Sequence, residues 1–140
     1  MPILCINTRD ELIVFRCEHI AYFRADHNYT TAVYINGTEQ VVCKGLSFLE
    51  QQLSLLYSPT VSPFVRIGRS ILVNTAFVMS VSVAKKRLVL SDCNDYTLIL
   101  SVSSAVLRSY KDLIETCLNR ISSCKVVNSD INCGTLDNIE

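Results

Sequence analysis

Short apolar runs, each stopped by a cluster of turn-forming residues, recur along most of this chain. Ile3 to Ile6 and Glu11 to Arg16 flank the break Asn7-Thr8-Arg9-Asp10, and His19 to Ala25 stops at Asp26-His27-Asn28. Tyr29 to Ile35 then runs into Asn36-Gly37, and Thr38 to Cys43 returns beside it. Asn-Gly between two such runs is the strongest short signal for a hairpin, because a tight turn there needs positive φ. Farther on, Phe77 to Val83, Leu88 to Ser91 and Tyr96 to Val102 are separated by a charged tip, Lys85-Lys86-Arg87, and a polar turn, Asp92 to Asp95.

The period changes twice. After Gly45, Leu46, Leu49, Leu53 and Leu56 recur at helical spacing, with Ser47 and Glu50 as a capping box and Ser58-Pro59 as the stop. A second helix follows Ser103 or Ser104 as its cap and carries Leu107, Tyr110, Ile114, Cys117, Leu118 and Ile121 on one stripe. The expected fold is therefore mostly β, with short antiparallel sheets, one short central helix and a C-terminal helix. This order argues against a helix-turn-helix reader and puts any binding on loops and strand ends. Residues 1–8 read as a short N-terminal strand or arm, 9–121 as one domain, and 122–140 as a flexible, acidic, aperiodic tail that folding does not need.

Composition excludes several classes. With 140 residues, 49% of them hydrophobic, the chain can bury one real core. No apolar run approaches the roughly 20 residues that cross a bilayer, and MPILCINTRDEL has no basic flank before an apolar core, so a cytoplasmic protein without a membrane association is expected. The seven cysteines, Cys5, Cys17, Cys43, Cys93, Cys117, Cys124 and Cys133, are odd in number and form no C-x-x-C pair. They read as reduced thiols, several packed as small hydrophobes, with no zinc site, and redox sensing is left to Cys124 or Cys133 in the tail. The four glycines are isolated, G-x-S-x-G does not occur, and no acid, base and nucleophile converge, so neither an enzyme nor a cofactor is expected.

Net charge is zero, yet its distribution is uneven. Residues 41–111 hold eight basic residues against three acids, whereas the segments on either side are net acidic. Within that basic middle lies FVRIGRSILVN, residues 64–74. Alternation puts Val65 and Ile67 on one face and Phe64 and Arg66 on the other, and Gly68 suits a turn that re-aims Arg69 and Ser70. Two readings stay open. One is a strand pair with solvated outer cations, Arg66 bridging to a neighbouring acid; the other is an edge whose guanidinium forks meet phosphates or bases.

Three segments in order, IAYFRADHNYTTAVYING, KGLSFLEQQL and FVRIGRSILVN, resemble the LytTR family of bacterial DNA-binding domains, over roughly residues 9–118. The resemblance implies a compact, mostly β domain that lays loops into successive major grooves, usually on repeated half-sites upstream of regulated genes. Such domains usually form the output half of response regulators; with about ten residues before the match, a stand-alone regulator is expected. Carried over, the first DNA-facing loop falls on Asp26, His27, Asn28 and Tyr29. The second falls on Arg66, Gly68, Arg69 and Ser70, closed by Asn74, and the third on Val102, Ser103 and Ser104. Lys44 is a phosphate contact by the same reading. Arg69, beyond the sheet edge, is expected to read a base while Arg66 holds phosphate.

Departures from the family pattern are His27 where glycine is common, Gly68 where histidine is common, and Ser104 where arginine is common. The expected partners are double-stranded DNA with repeated half-sites, a second copy that pairs with the first on DNA only, and a protein that supplies the signal. The rival reading is a protein-interaction module of the same fold that has lost DNA binding, which salt dependence would distinguish.

Overall fold

The computed structural model describes residues 1–129; residues 130–140, which include Cys133 and the end of the expected tail, lie outside the described residues. The first hairpin pairs β1 (Ile3–Asn7) with β2 (Leu12–Arg16). Its alternation points Leu4, Ile6, Ile13 and Phe15 inward, so residues 1–8, expected as a short N-terminal strand or arm, supply a strand that packs into a core.

A five-stranded antiparallel sheet forms the centre, in the order β5 (Glu39–Val42), β4 (Tyr29–Tyr34), β3 (Ile20–Asp26), β7 (Ile71–Asn74) and β6 (Phe64–Ile67). The Asn36-Gly37 turn closes β4 onto β5 as its sequence requires: Gly37 takes φ +92° and Tyr34 O accepts from Gly37 N at 2.8 Å. A third, three-stranded sheet runs β10 (Thr97–Ser101), β9 (Arg87–Ser91), β8 (Val78–Ser82). Phe77, expected to open β8, instead ends a single 3-10 turn, Thr75–Phe77.

Two helices cover the central sheet. On one face, α1 (Leu46–Tyr57) and the first hairpin enclose Phe15, Phe23, Leu49, Leu53, Phe64 and Leu72. Phe23 is the hub, with Phe15 edge-on at 5.6 Å and Phe64 tilted at 5.5 Å between ring centroids. On the other face, α2 (Ser104–Ile121) and the three-stranded sheet enclose Val65, Ile67, Val73, Leu88, Leu90, Leu107 and Ile114. Because both faces are covered, the central strands read as continuous buried runs: Ile20 to Phe23 and Thr30 to Val33 are all buried. Phe64 and Val65 face opposite cores, as their alternation dictates.

The helix stripes are those the sequence predicts, with Leu46, Leu49 and Leu53 buried on α1, and Leu107, Ile114 and Cys117 buried on α2. Ser103 caps α2 by accepting from Val106 N at 3.3 Å. The capping box expected on α1 does not form, since Gly45 is the N-cap and makes no side-chain bond. Ser47 and Glu50 face a strand instead, as described below. Residues 123–129 of the expected tail carry neither helix nor strand. Cys17 is fully buried, and desolvation pushes its thiol up to about 11, which keeps it protonated and unreactive at neutral pH. No helix among the described residues is long and apolar enough to cross a membrane.

Candidate nucleic-acid interface

Register and hydrogen bonds bring the three expected loops to one end of the central sheet. Asp26 pairs with Tyr29 across the β3–β4 turn, and Thr30 pairs with Val42, so the end of β5 lies beside that turn. Thr30 Oγ1 donates to Lys44 O at 2.7 Å, fixing the chain just before α1. On the other side of β3, Ala25 N donates to Ser70 O at 2.8 Å, so the β6–β7 turn stands next to the β3–β4 turn. The first turn of α2 closes the row: a Cβ at Gly68 would lie 3.8 Å from Val106 Cγ1.

Each side chain in this row has a distinct situation. His27, Asn28 and Tyr29 are exposed, and His27 adopts φ +57°. That conformation favours glycine, and a histidine held there costs backbone energy that the hairpin must supply. His27→Gly is accordingly expected to raise the stability by about 0.5–1 kcal/mol, read from the urea midpoint at unchanged m-value. Asp26 sits 3.8 Å from His27, an exposed pair of little energetic weight. Lys44 is exposed and lies over the Phe48 ring, 5.1 Å from its centroid.

The β6–β7 turn shows why two arginines stand three residues apart. Arg66 is half-buried and makes three side-chain hydrogen bonds among the described residues: Nη1 donates to Ser47 Oγ at 2.8 Å and to Glu50 Oε1 at 3.3 Å, and Nη2 donates to Arg69 O at 2.7 Å. Ser47 and Glu50 therefore serve Arg66 rather than their own helix. Arg66 thus braces the turn against α1, at a position expected from the sequence to hold phosphate. Arg69 is the opposite case. It is exposed, and its guanidinium has no hydrogen-bond or ion-pair partner among the described residues. Gly68 holds φ +67° between them, so glycine is required there by backbone conformation and not by crowding. Ser70 is exposed beside Arg69.

Two further expected residues use their side-chain polar groups within the fold. Asn74 is 2% exposed, donates from Nδ2 to Ile20 O at 2.9 Å and accepts at Oδ1 from Ala76 N at 3.0 Å. It is a buried cap, with both of its polar groups used at the core end of β7, where the family motif placed a residue of the DNA-facing set. Ser104 is half-buried and donates to Val83 O at 2.7 Å, which ties α2 to the β8–β9 tip. Ser103 remains exposed at the helix start.

Lys85 and Lys86, a charged hairpin tip in the sequence and not among the expected DNA-facing residues, also reach this end. Val102 N donates to Lys86 O at 3.0 Å, so this tip stands beside the third loop, and Lys85, Lys86, Ser101, Val102 and Ser103 line one shallow depression. Adjacency of the tip to α2 is a matter of sheet topology, and no local signal carries it. Arg24, exposed on β3 next to Ile71, is a further cation near this end. Among the described residues no cluster of His, Cys, Asp or Glu is placed to hold a metal ion.

The family model described as the LytTr DNA-binding domain matches residues 10–115 of the chain. No match was found among curated proteins. Among solved structures, the LytTr DNA-binding domain of a methyl-accepting/DNA response regulator from Bacillus cereus is similar in fold, with a TM-score of 0.53 at 19% identity, over 81% of this chain and 97% of that one. That likeness concerns the fold: antiparallel sheets with a helix on each face of the central one. Matched by the family model over most of its length, and folded accordingly, the chain belongs to the LytTR family of DNA-binding domains.

Proposed function

We propose that the protein is a transcription regulator that reads specific double-stranded DNA by laying the turns at one end of its central sheet into successive major grooves. The observation that carries this reading is the convergence of exposed cations on that end. Lys44, Arg69, Lys85 and Lys86 are all exposed there, while of the acids beside them Glu50 is paired with Arg66 and Asp26 lies against His27. An unpaired cation row about as wide as a sheet suits a phosphate track, and turns that project beyond strand ends suit a groove.

Within it, Arg69 reads a base edge, because its fork is free and its backbone is braced. Lys44, Lys85, Lys86, Ser70 and Ser103 hold phosphates, and Asn28, His27 and Tyr29 enter the neighbouring groove. Repeated half-sites place two copies in register on one duplex, and a separate protein supplies the signal.

Selection from random duplexes is expected to enrich a defined half-site. Binding to the enriched duplex should weaken steeply with salt, and Lys44→Ala should reduce the slope of log affinity against log salt by about one without changing base preference. Failure to enrich any duplex, with weak binding indifferent to salt, would remove the proposal in favour of a protein-interaction module.

A further inference from the structure

Among the described residues, strand β10 is an unguarded edge. Among them it pairs only with β9. Its sequence, TLILS, holds no charge, proline or bulge, and Ile99 is 58% exposed at its centre. Other edges are managed: β5 opens on Glu39, β6 carries Arg66, β8 is bulged between Val78 and Ser80, and β1 lies against α1.

Backbone geometry fixes what that edge offers. Val102 N donates to Lys86 O at 3.0 Å and Asp92 N donates to Tyr96 O at 3.2 Å, so the even-numbered residues of β10 turn their amides and carbonyls toward β9. Alternation then turns those of Thr97, Ile99 and Ser101 outward. A strand with an odd number of residues and outward groups at its first, middle and last positions is its own antiparallel complement. About a two-fold axis at Ile99, Thr97 of one copy meets Ser101 of the other and Ile99 meets Ile99.

The charges around the strand match the same operation. At the start of β10 stands the acidic turn with Asp92 and exposed Asp95; at its end stand Ser103, the α2 N-terminus and the Lys85-Lys86 tip. Antiparallel pairing sets Asp95 of each copy against Ser103 of the other, with Lys86 of that copy one strand away. Acid thus meets helix N-terminus and lysine, twice by symmetry.

We propose that β10 is a self-association edge that joins two copies of this chain into one continuous six-stranded sheet. A five-residue strand pair covers less than the roughly 1,200 Å² of stable complexes, so the dimer is weak and dilute protein remains monomeric. The axis reverses strand direction, so the two cation rows point opposite ways, and Asp95 of each copy lies over the third loop of the other. Self-association and DNA binding therefore compete, a consequence that rests on the function proposed above.

The test is sedimentation of the whole chain at low salt over a wide concentration series, followed by titration with the enriched duplex. The expected result is a reversible monomer–dimer equilibrium. Ile99→Lys, which places like charges face to face across the axis, should weaken it on the order of tenfold or more while circular dichroism and duplex affinity stay those of the parent. Asp95→Lys should also weaken it, and adding Lys85→Glu and Lys86→Glu to that variant should restore it. Duplex should dissolve the parent dimer. A parent that stays monomeric throughout, or a dimer indifferent to Ile99→Lys, overturns the self-association edge. A dimer that persists on saturating duplex overturns the competition. A dimer that behaves as described in a protein that binds no duplex contradicts the DNA-reading function and leaves the edge standing.

Discussion

Arg69→Ala is expected to cost about 1–3 kcal/mol of affinity for the preferred duplex, to relax preference at one base position, and to leave the fold unchanged. The side chain is exposed and unpartnered among the described residues, so its removal takes nothing from the core. Its companion behaves differently. Arg66→Ala removes the bonds to Ser47 and Glu50 and frees the Arg69 carbonyl, so the turn loses its tie to α1. Binding should weaken through loss of positioning, stability should fall by about 1 kcal/mol, and the salt slope should remain that of the parent because no phosphate contact is lost. Anisotropy on specific and scrambled duplexes at several salt concentrations, with melting followed in parallel, separates the two roles. Arg66→Ala with a slope lower by one and unchanged melting would make it a phosphate contact after all.

Asn74→Ala is expected to be the more damaging change to stability, by about 2–3 kcal/mol, lowering the melting temperature by roughly 10 °C or more. The loss has two parts. Ile20 O is left without its Nδ2 donor in a buried place, and the 3-10 turn at Thr75–Phe77 loses its cap at Ala76 N. Asn74→Asp keeps the acceptor for Ala76 N but sets a buried carboxylate oxygen against Ile20 O with no proton to donate, so it should be no better at neutral pH and should regain stability as acid protonates that group. Duplex affinity measured well below the melting point should be close to the parent's for both variants. A stable Asn74→Ala protein with impaired binding would return Asn74 to the DNA-facing set.

What the sequence made legible was local. Asn36-Gly37 marked a hairpin because its turn chemistry lies in two adjacent residues, and the stripes of α1 and α2 were readable because helical period is a short-range property. Ser47 and Glu50 were misread for the same reason. Spaced as a capping box, they are bonded to Arg66, 19 and 16 residues away, and no window along the chain contains all three as neighbours. Alternation correctly set Arg66 opposite Val65 and Ile67, but it is silent on what a side chain meets on its own side. Asn74 closed a motif carried over from the family; its burial against Ile20, 54 residues earlier, arises only once β3 and β7 pair. The approach of Lys86 to Val102 likewise depends on β9 and β10 forming one hairpin.

Backbone amide shifts measured by NMR, with and without the enriched duplex, address the central claim most directly. The account predicts changes concentrated at residues 26–29, 43–45, 68–70, 85–86 and 102–104, the end of the central sheet where the three loops and the lysine tip meet. Changes centred on the β1–β2 hairpin, on the outer face of α1 or on the C-terminal half of α2, with those five segments unmoved, would contradict it.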